Sequence, residues 1–295
     1  MYPFGQDFNC MELAIQHLFP DHYYFSLQVL HTPGQTIIRY RIRDLSRMEM
    51  TPGAERSITL DACRGAAICA MVAYHFIFDL VYFGIIEADP SFRYIAYPIA
   101  GSFIAIAGIS LHLKSESLRR QERTGWQFIQ PFLRRGFQLL AIGFGITCVT
   151  WIYPHEGFII WGILHALGAA TILGIPFLRY QKLIMPVAIL IIATWLLFFP
   201  LYGPDYLLPL GIHEPGFLSL DYIPLIPWFP VFLLGIAAGS YFFQKKTEKE
   251  RQMQTGDHHM LLTLLAVPGR HSLAIYLIHQ PVIIGLLLLL GSITL

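Results

Sequence analysis

LDACRGAAICAMVAYHFIFDLVYFG, residues 60–84, is apolar enough to cross a bilayer and yet carries Asp61, Arg64, His75 and Asp79 along its length. A span needs about 20 mostly apolar residues, and this run supplies them. The ionisable residues are costly there: an Asp or Arg at mid-membrane is unfavourable by roughly 2.5–3.5 kcal/mol even on the mildest scales. Such a helix persists only when its polar stripe faces protein or a water-filled cavity. At about 100° per residue, Asp61 and Asp79 point the same way, Arg64 and His75 fall on nearly one bearing, and His75 and Asp79 are one turn apart. The stripe is a single face, and chemistry is expected on it.

The rest of the chain agrees. Its 295 residues are 55% hydrophobic and 13% charged, against about 25% charged for a soluble domain, and the mean hydropathy is +0.54. The fold class read from this is all-α: a polytopic transmembrane helix bundle of about seven spans, near 60–86, 94–113, 132–152, 158–178, 183–200, 225–243 and 270–294. Basic residues orient it. Arg39, Arg41, Arg43, Arg47 and Arg56 precede the first span, a basic run from Lys114 to Arg135 follows the second, and Lys245, Lys246, Lys249, Arg251 and Arg270 precede the last. The alternate loops hold Arg93 with Glu87, Asp89, Glu156, Asp205, Glu214 and Asp221. This asymmetry places the N-terminus in the cytoplasm, and the expected location is the cytoplasmic (inner) membrane. Lipid is then the surrounding partner. A formal net charge of +1 gives no reason to expect nucleic acid.

Residues 1–55 read as a cytoplasmic N-terminal extension and 56–295 as the transmembrane domain. The extension contains a turn at HTPG, 31–34, and no continuous apolar core of the kind a signal peptide has. An alternative stays open, in which the chain starts at Met48 or Met50 and the preceding residues are a start-site over-call. Cys10, Cys63, Cys69 and Cys148 show no metal or disulfide spacing.

Within the spans, His75, His165 and His279 are the candidate bases or ligands, since an intramembrane ionisable group is a functional hypothesis by default. Asp79, one turn outward of His75, is the expected orienting carboxylate of a general base. At the cytoplasmic mouth, Asp61 and Arg64 either neutralise each other or offer a guanidinium to a phosphate. Arg134, Arg135 and Arg270 at the inner ends of other spans are candidates to join such a clamp. Gly65 admits either a ligand or a neighbouring backbone at close range. Gln280 lies beside His279, near mid-membrane. The small-residue span 94–113 reads as a helix contact surface, with room for an elongated ligand as the other reading. The long loop 200–224 is a candidate cap over an external pocket. A haem would leave the Asp61–Arg64 mouth unexplained, so neither haem nor metal is expected. A charged stripe through a bundle also suits a transporter or exporter of a small polar or anionic solute.

These residues resemble the first catalytic-domain helix of the heparan-alpha-glucosaminide N-acetyltransferase family, and more closely its compact bacterial branch, formerly a domain of unknown function. The shared pattern is Asp61, Arg64, Gly65, Met71, Val72, His75, Phe76, Phe78 and Asp79. It continues in GSFIAIAGISL, in GILHALG at 162–168 and in GRHSLAIYLIHQP at 269–281. The resemblance implies a membrane acyltransferase that takes acetyl (acyl) groups from cytoplasmic acetyl-CoA, an acyl-CoA co-substrate, to an amine or hydroxyl of an extracytoplasmic sugar or glycan. On that reading His75 is the base and Asp79 its partner. Arg64, with Asp61, Gly65, Arg134, Arg135 and Arg270, forms the nucleotide mouth, and His279, His165 and Gln280 contact substrate. The family's proposed acetyl-carrying histidine sits in the loop after this helix, and the matching loop here, GIIEADPSFRY, has none. The family's large soluble portion has no counterpart in this sequence, so heparan sulfate is not the expected acceptor. A homodimer is compatible with this build without being required by it.

Overall fold

The computed structural model describes residues 24–32, 35–43, 58–243 and 260–293. Cys10, the Pro33–Gly34 turn, Arg47, Arg56, the alternative starts at Met48 and Met50, and the basic residues between Lys245 and Arg251 lie outside the described residues. The chain divides into two compact units, 1–55 and 56–295. In the first, β1 (Tyr24–Thr32) and β2 (Gln35–Arg43) pair antiparallel, with Tyr24 opposite Arg43 and Thr32 opposite Gln35. Composition did not anticipate this hairpin.

The second unit is a helical membrane bundle: α1 (Ile58–Tyr82), α2 (Ala96–Arg120), α3 (Gly125–Ile152), α4 (Ile163–Arg179), α5 (Ile184–Phe198), α6 (Leu225–Phe243), α7 (Met260–Arg270) and α8 (Ser272–Leu289). Five helical segments among the described residues are long and apolar enough to cross a membrane: those holding α1, α2, α3, α5 and α8. The helices α4, α6 and α7 are apolar but shorter. Large apolar side chains on the bundle's outside, such as Leu196, Leu197, Val282 and Leu289, are well exposed, as a lipid-facing surface requires.

The main core joins α2 to α6 around Phe232, Leu233 and Ile236, which are fully buried. Here the small residues of α2 serve helix contact. A Cβ on Gly108 would strike the Phe232 carbonyl, and one on Gly235 the Ala105 carbonyl, so α2 and α6 touch backbone to backbone. Beside this core, α1 packs on α7 and α8. The apolar runs predict a basic linker leading directly into a span at 270. Instead Met260–Arg270 forms its own helix, which ends at Arg270, and the chain turns at His271 into α8. With Pro268 and Gly269 in its last turn, α7 is a short helix made to stop.

Candidate active site

Asp61 sits in the first turn of α1, with only 1% of its side chain exposed, between two arginines. Arg64 donates from Nη1 to Asp61 Oδ1 at 2.8 Å and from Nη2 to Ser110 Oγ on α2 at 2.6 Å. Arg270, closing α7, brings its Nε to 3.5 Å from Asp61 Oδ2. A carboxylate withdrawn from water needs such partners. The side chains of Arg64 and Arg270 remain 25% and 49% exposed, while the carboxylate between them is covered. Gly65 resolves toward the neighbouring backbone: a Cβ there would overlap the Leu265 carbonyl, and one on Gly269 the Asp61 carbonyl. These two glycines let α1 and α7 come close enough for Asp61 to reach Arg270. Arg134 and Arg135 are exposed on α3, whose main packing partner is α4 rather than α1.

Some 16 Å further along α1, at 1.5 Å per residue, lies the second cluster. His75 and His279 meet edge to face with ring centroids 4.8 Å apart and planes at 77°. His75 Nδ1 is 2.9 Å from the Met71 carbonyl, and His279 Nδ1 is 2.6 Å from the Tyr276 carbonyl. A carbonyl only accepts, so in both rings Nδ1 carries a proton and the Nε2 lone pair is the basic site. His279 Nε2 is buried and has no hydrogen-bond partner among the described residues. Asp79 is 2% exposed, and both of its oxygens accept from Gln280 Nε2, at 2.7 and 2.9 Å. The contact that orients His75 therefore comes from Met71 in its own helix. Asp79 instead ties α1 to α8 through Gln280.

A second carboxylate joins the cluster from the 200–224 loop, which the sequence analysis reads as a candidate cap over an external pocket. Residues 219–223 are laced to 157–161 by Leu220 N–H to the Gly157 carbonyl (2.7 Å), Ile223 N–H to the Trp161 carbonyl (3.1 Å) and Ser219 Oγ to the Phe158 carbonyl (3.1 Å). This lacing puts Asp221 Oδ2 at 2.9 Å from the Ile163 N–H in the first turn of α4. A Cβ on Gly162 would collide with that oxygen. The Tyr276 hydroxyl also hydrogen-bonds to Asp221. Loss of water raises the Asp221 carboxyl above the usual range, against the lowering effects of the Ile163 N–H, His75 and Tyr276. Asp221 and Tyr276 are the residues sequence reasoning missed. Their only signals were a carboxylate just before the proline-rich start of α6 and a tyrosine one turn before His279.

His165 lies apart from the histidine pair in its packing. It is 1% exposed, its Nδ1 accepts from the Gly162 N–H at 3.3 Å, and its ring stacks on Trp161 and meets the edge of Phe144. His112, equally buried on α2 against Gly239, is a further histidine that the sequence reading passed over. A cleft of about 410 Å³ opens between α5 and the segment from Phe199 to Pro227, lined by Trp195, His213 and Pro224 among others. Neither His75 nor His279 lines it.

With the buried row of α1, the arginine mouth and the histidine pair in view, the comparisons fall into place. A search of curated proteins gives no match. The family model described as heparan-alpha-glucosaminide N-acetyltransferase, catalytic, matches residues 56–281, well over half of the chain and all of the clusters above. The chain thus belongs to the heparan-alpha-glucosaminide N-acetyltransferase catalytic family, which makes it a membrane acetyltransferase.

Proposed function

We propose that the protein takes an acetyl group from acetyl-CoA at the cytoplasmic face of the inner membrane and delivers it to an amine or hydroxyl of an extracytoplasmic sugar. One observation carries this reading. The ionisable row of α1 is turned into the protein, with Asp61 and Asp79 buried and His75 against His279, while the side chains of Arg64 and Arg270 stay part-exposed at one end of it. Arginines suit the phosphates of CoA through paired N–H donors. From Arg64 to His75 is about 16 Å along the helix, a distance of the order an extended pantetheine arm covers.

In the transfer, His75 Nε2 takes the proton of the acceptor N–H or O–H as the nitrogen or oxygen attacks the thioester carbonyl carbon. The new C–N or C–O bond forms, the C–S bond breaks, and the thiolate of CoA leaves and receives the proton. No acyl-enzyme is needed in this route. Arg134 and Arg135 belong to the same proposal as an outer part of the phosphate rim, and His279, Gln280 and His165 as contacts to the acceptor or thioester. Seven spans with a cytoplasmic N-terminus complete the topology.

The test is transfer of labelled acetyl from acetyl-CoA to glucosamine by purified protein in proteoliposomes, with acetyl-CoA binding measured beside it. CoA-dependent product, with binding weakened in Arg64→Ala, is the expected result. Solute flux with no CoA-dependent product would replace this reading with a carrier.

A further inference from the structure

We infer that Asp221 is a positioning residue for the histidine pair, acting through Tyr276 and His279, so that the 219–223 segment is part of the active site. This inference rests on the proposed acetyl transfer at His75 and extends it to a residue outside the membrane helices. Three successive contacts carry it. Asp221 accepts from the Tyr276 hydroxyl and is itself fixed by the Ile163 N–H at 2.9 Å. Tyr276, held at its hydroxyl, lies 5.6 Å from the His279 ring and offers its carbonyl to His279 Nδ1 at 2.6 Å. His279 in turn stands 4.8 Å from His75.

The local sequence is arranged to keep Asp221 in place. Gly162 leaves the space its carboxylate fills, and the hydrogen bonds of Leu220, Ile223 and Ser219 hold the segment on both sides of it. Asp79 does not serve in this way, since both of its oxygens are engaged by Gln280. A catalytic base works only when its lone pair is aimed, and misplacement by about 1 Å costs roughly a hundredfold in rate. A carboxylate that aims the pair from the loop side therefore has a defined task. It locks the turn of α8 that carries His279, and with it the face His75 packs against.

The experiment uses the full chain in detergent, with Asp221→Asn, Asp221→Glu, Tyr276→Phe and the Asp221→Asn/Tyr276→Phe double variant. The first readout is the tautomer of His279 in spectra of nitrogen-labelled histidine, which does not depend on any activity. Wild type is expected to show the Nδ1–H form, and Asp221→Asn and Tyr276→Phe each to populate the other form. The second is acetyl transfer to glucosamine. Asp221→Asn, Tyr276→Phe and the double variant are each expected to lower kcat by about tenfold, equally and without additivity, because they break one unit. KM for acetyl-CoA stays at the wild-type value, and Asp221→Glu recovers part of kcat. An unchanged His279 tautomer in folded Asp221→Asn and Tyr276→Phe proteins overturns the inference. A changed tautomer in a protein that makes no acetylated product overturns the proposed transfer and leaves the coupling standing.

Discussion

His75 and His279 place their rings 4.8 Å apart, edge to face, from the first and last long helices of the bundle. Each ring gives its Nδ1 proton to a carbonyl of its own helix, so Nε2 is the basic nitrogen of both. The two are not equivalent. His279 is 9% exposed with a buried Nε2, whereas His75 is only part-buried, and the proposed transfer therefore assigns the base to His75.

That difference separates their variants. His75→Ala is expected to lower kcat for acetyl transfer by about a hundredfold or more, the usual contribution of a general base, with acetyl-CoA affinity unchanged. His279→Ala is expected to have a smaller effect on kcat. Single-turnover transfer to glucosamine, with CoA binding measured in parallel, distinguishes them. Wild-type transfer by folded His75→Ala protein would remove the base assignment.

At the mouth, Asp61 is buried between Arg64 and Arg270. Replacing it by Ala leaves two guanidiniums facing each other with no carboxylate between them. The expected loss is about 3 kcal/mol of stability, the scale of breaking a buried ion pair from one side, read as a lower melting temperature in detergent. Arg64→Ala acts differently, because that side chain stays part-exposed and the proposed function assigns it to the phosphates of CoA. It is expected to weaken acetyl-CoA binding by about tenfold, one charge-assisted hydrogen bond to phosphate, as measured by calorimetry.

What the sequence made legible was whatever lies on one helix. The Asp61–Arg64 pair is three residues apart, and the polar stripe of α1 follows from helical periodicity alone, so both are legible in the sequence. The positions of the long helices followed from apolar runs. Pairing between helices did not emerge, because register across a bundle depends on how closely backbones approach. Nothing in the sequence says that Gly65 and Gly269 meet, or that Gln280 rather than His75 takes Asp79. The α7 helix escaped notice because its 11 residues are too short for a span and follow a charged linker. Asp221 escaped for a related reason: a loop carboxylate reaches a site only through backbone hydrogen bonds that no side-chain pattern encodes.

Gly65 offers a direct check on the α1–α7 contact. A methyl group there would overlap the Leu265 carbonyl, a backbone atom that cannot swing aside. Gly65→Ala is therefore expected to cost about 1–3 kcal/mol, the range for overpacking, despite the better helix propensity of Ala. The Asp61–Arg270 contact should loosen with it. Melting in detergent reads the loss, and a Gly65→Ala protein of wild-type stability whose CoA affinity alone is lowered would return Gly65 to a ligand-facing role.

The Asp79–Gln280 contact gives the sharpest structural prediction. Gln280 supplies one amide nitrogen to both oxygens of a carboxylate that is 2% exposed. Gln280→Leu keeps the approximate size but removes the donor, stranding a buried acceptor. The expected cost is about 2 kcal/mol, the scale of a hydrogen bond to a charged group. Asp79→Leu in the same protein removes the stranded carboxylate, so the double variant should be more stable than Gln280→Leu alone. That rescue is the signature of a direct pair, since two unrelated losses would add. Melting temperatures of the two single variants and the double variant in one detergent decide it, and simple additivity would mean that Asp79 and Gln280 do not hold α1 to α8.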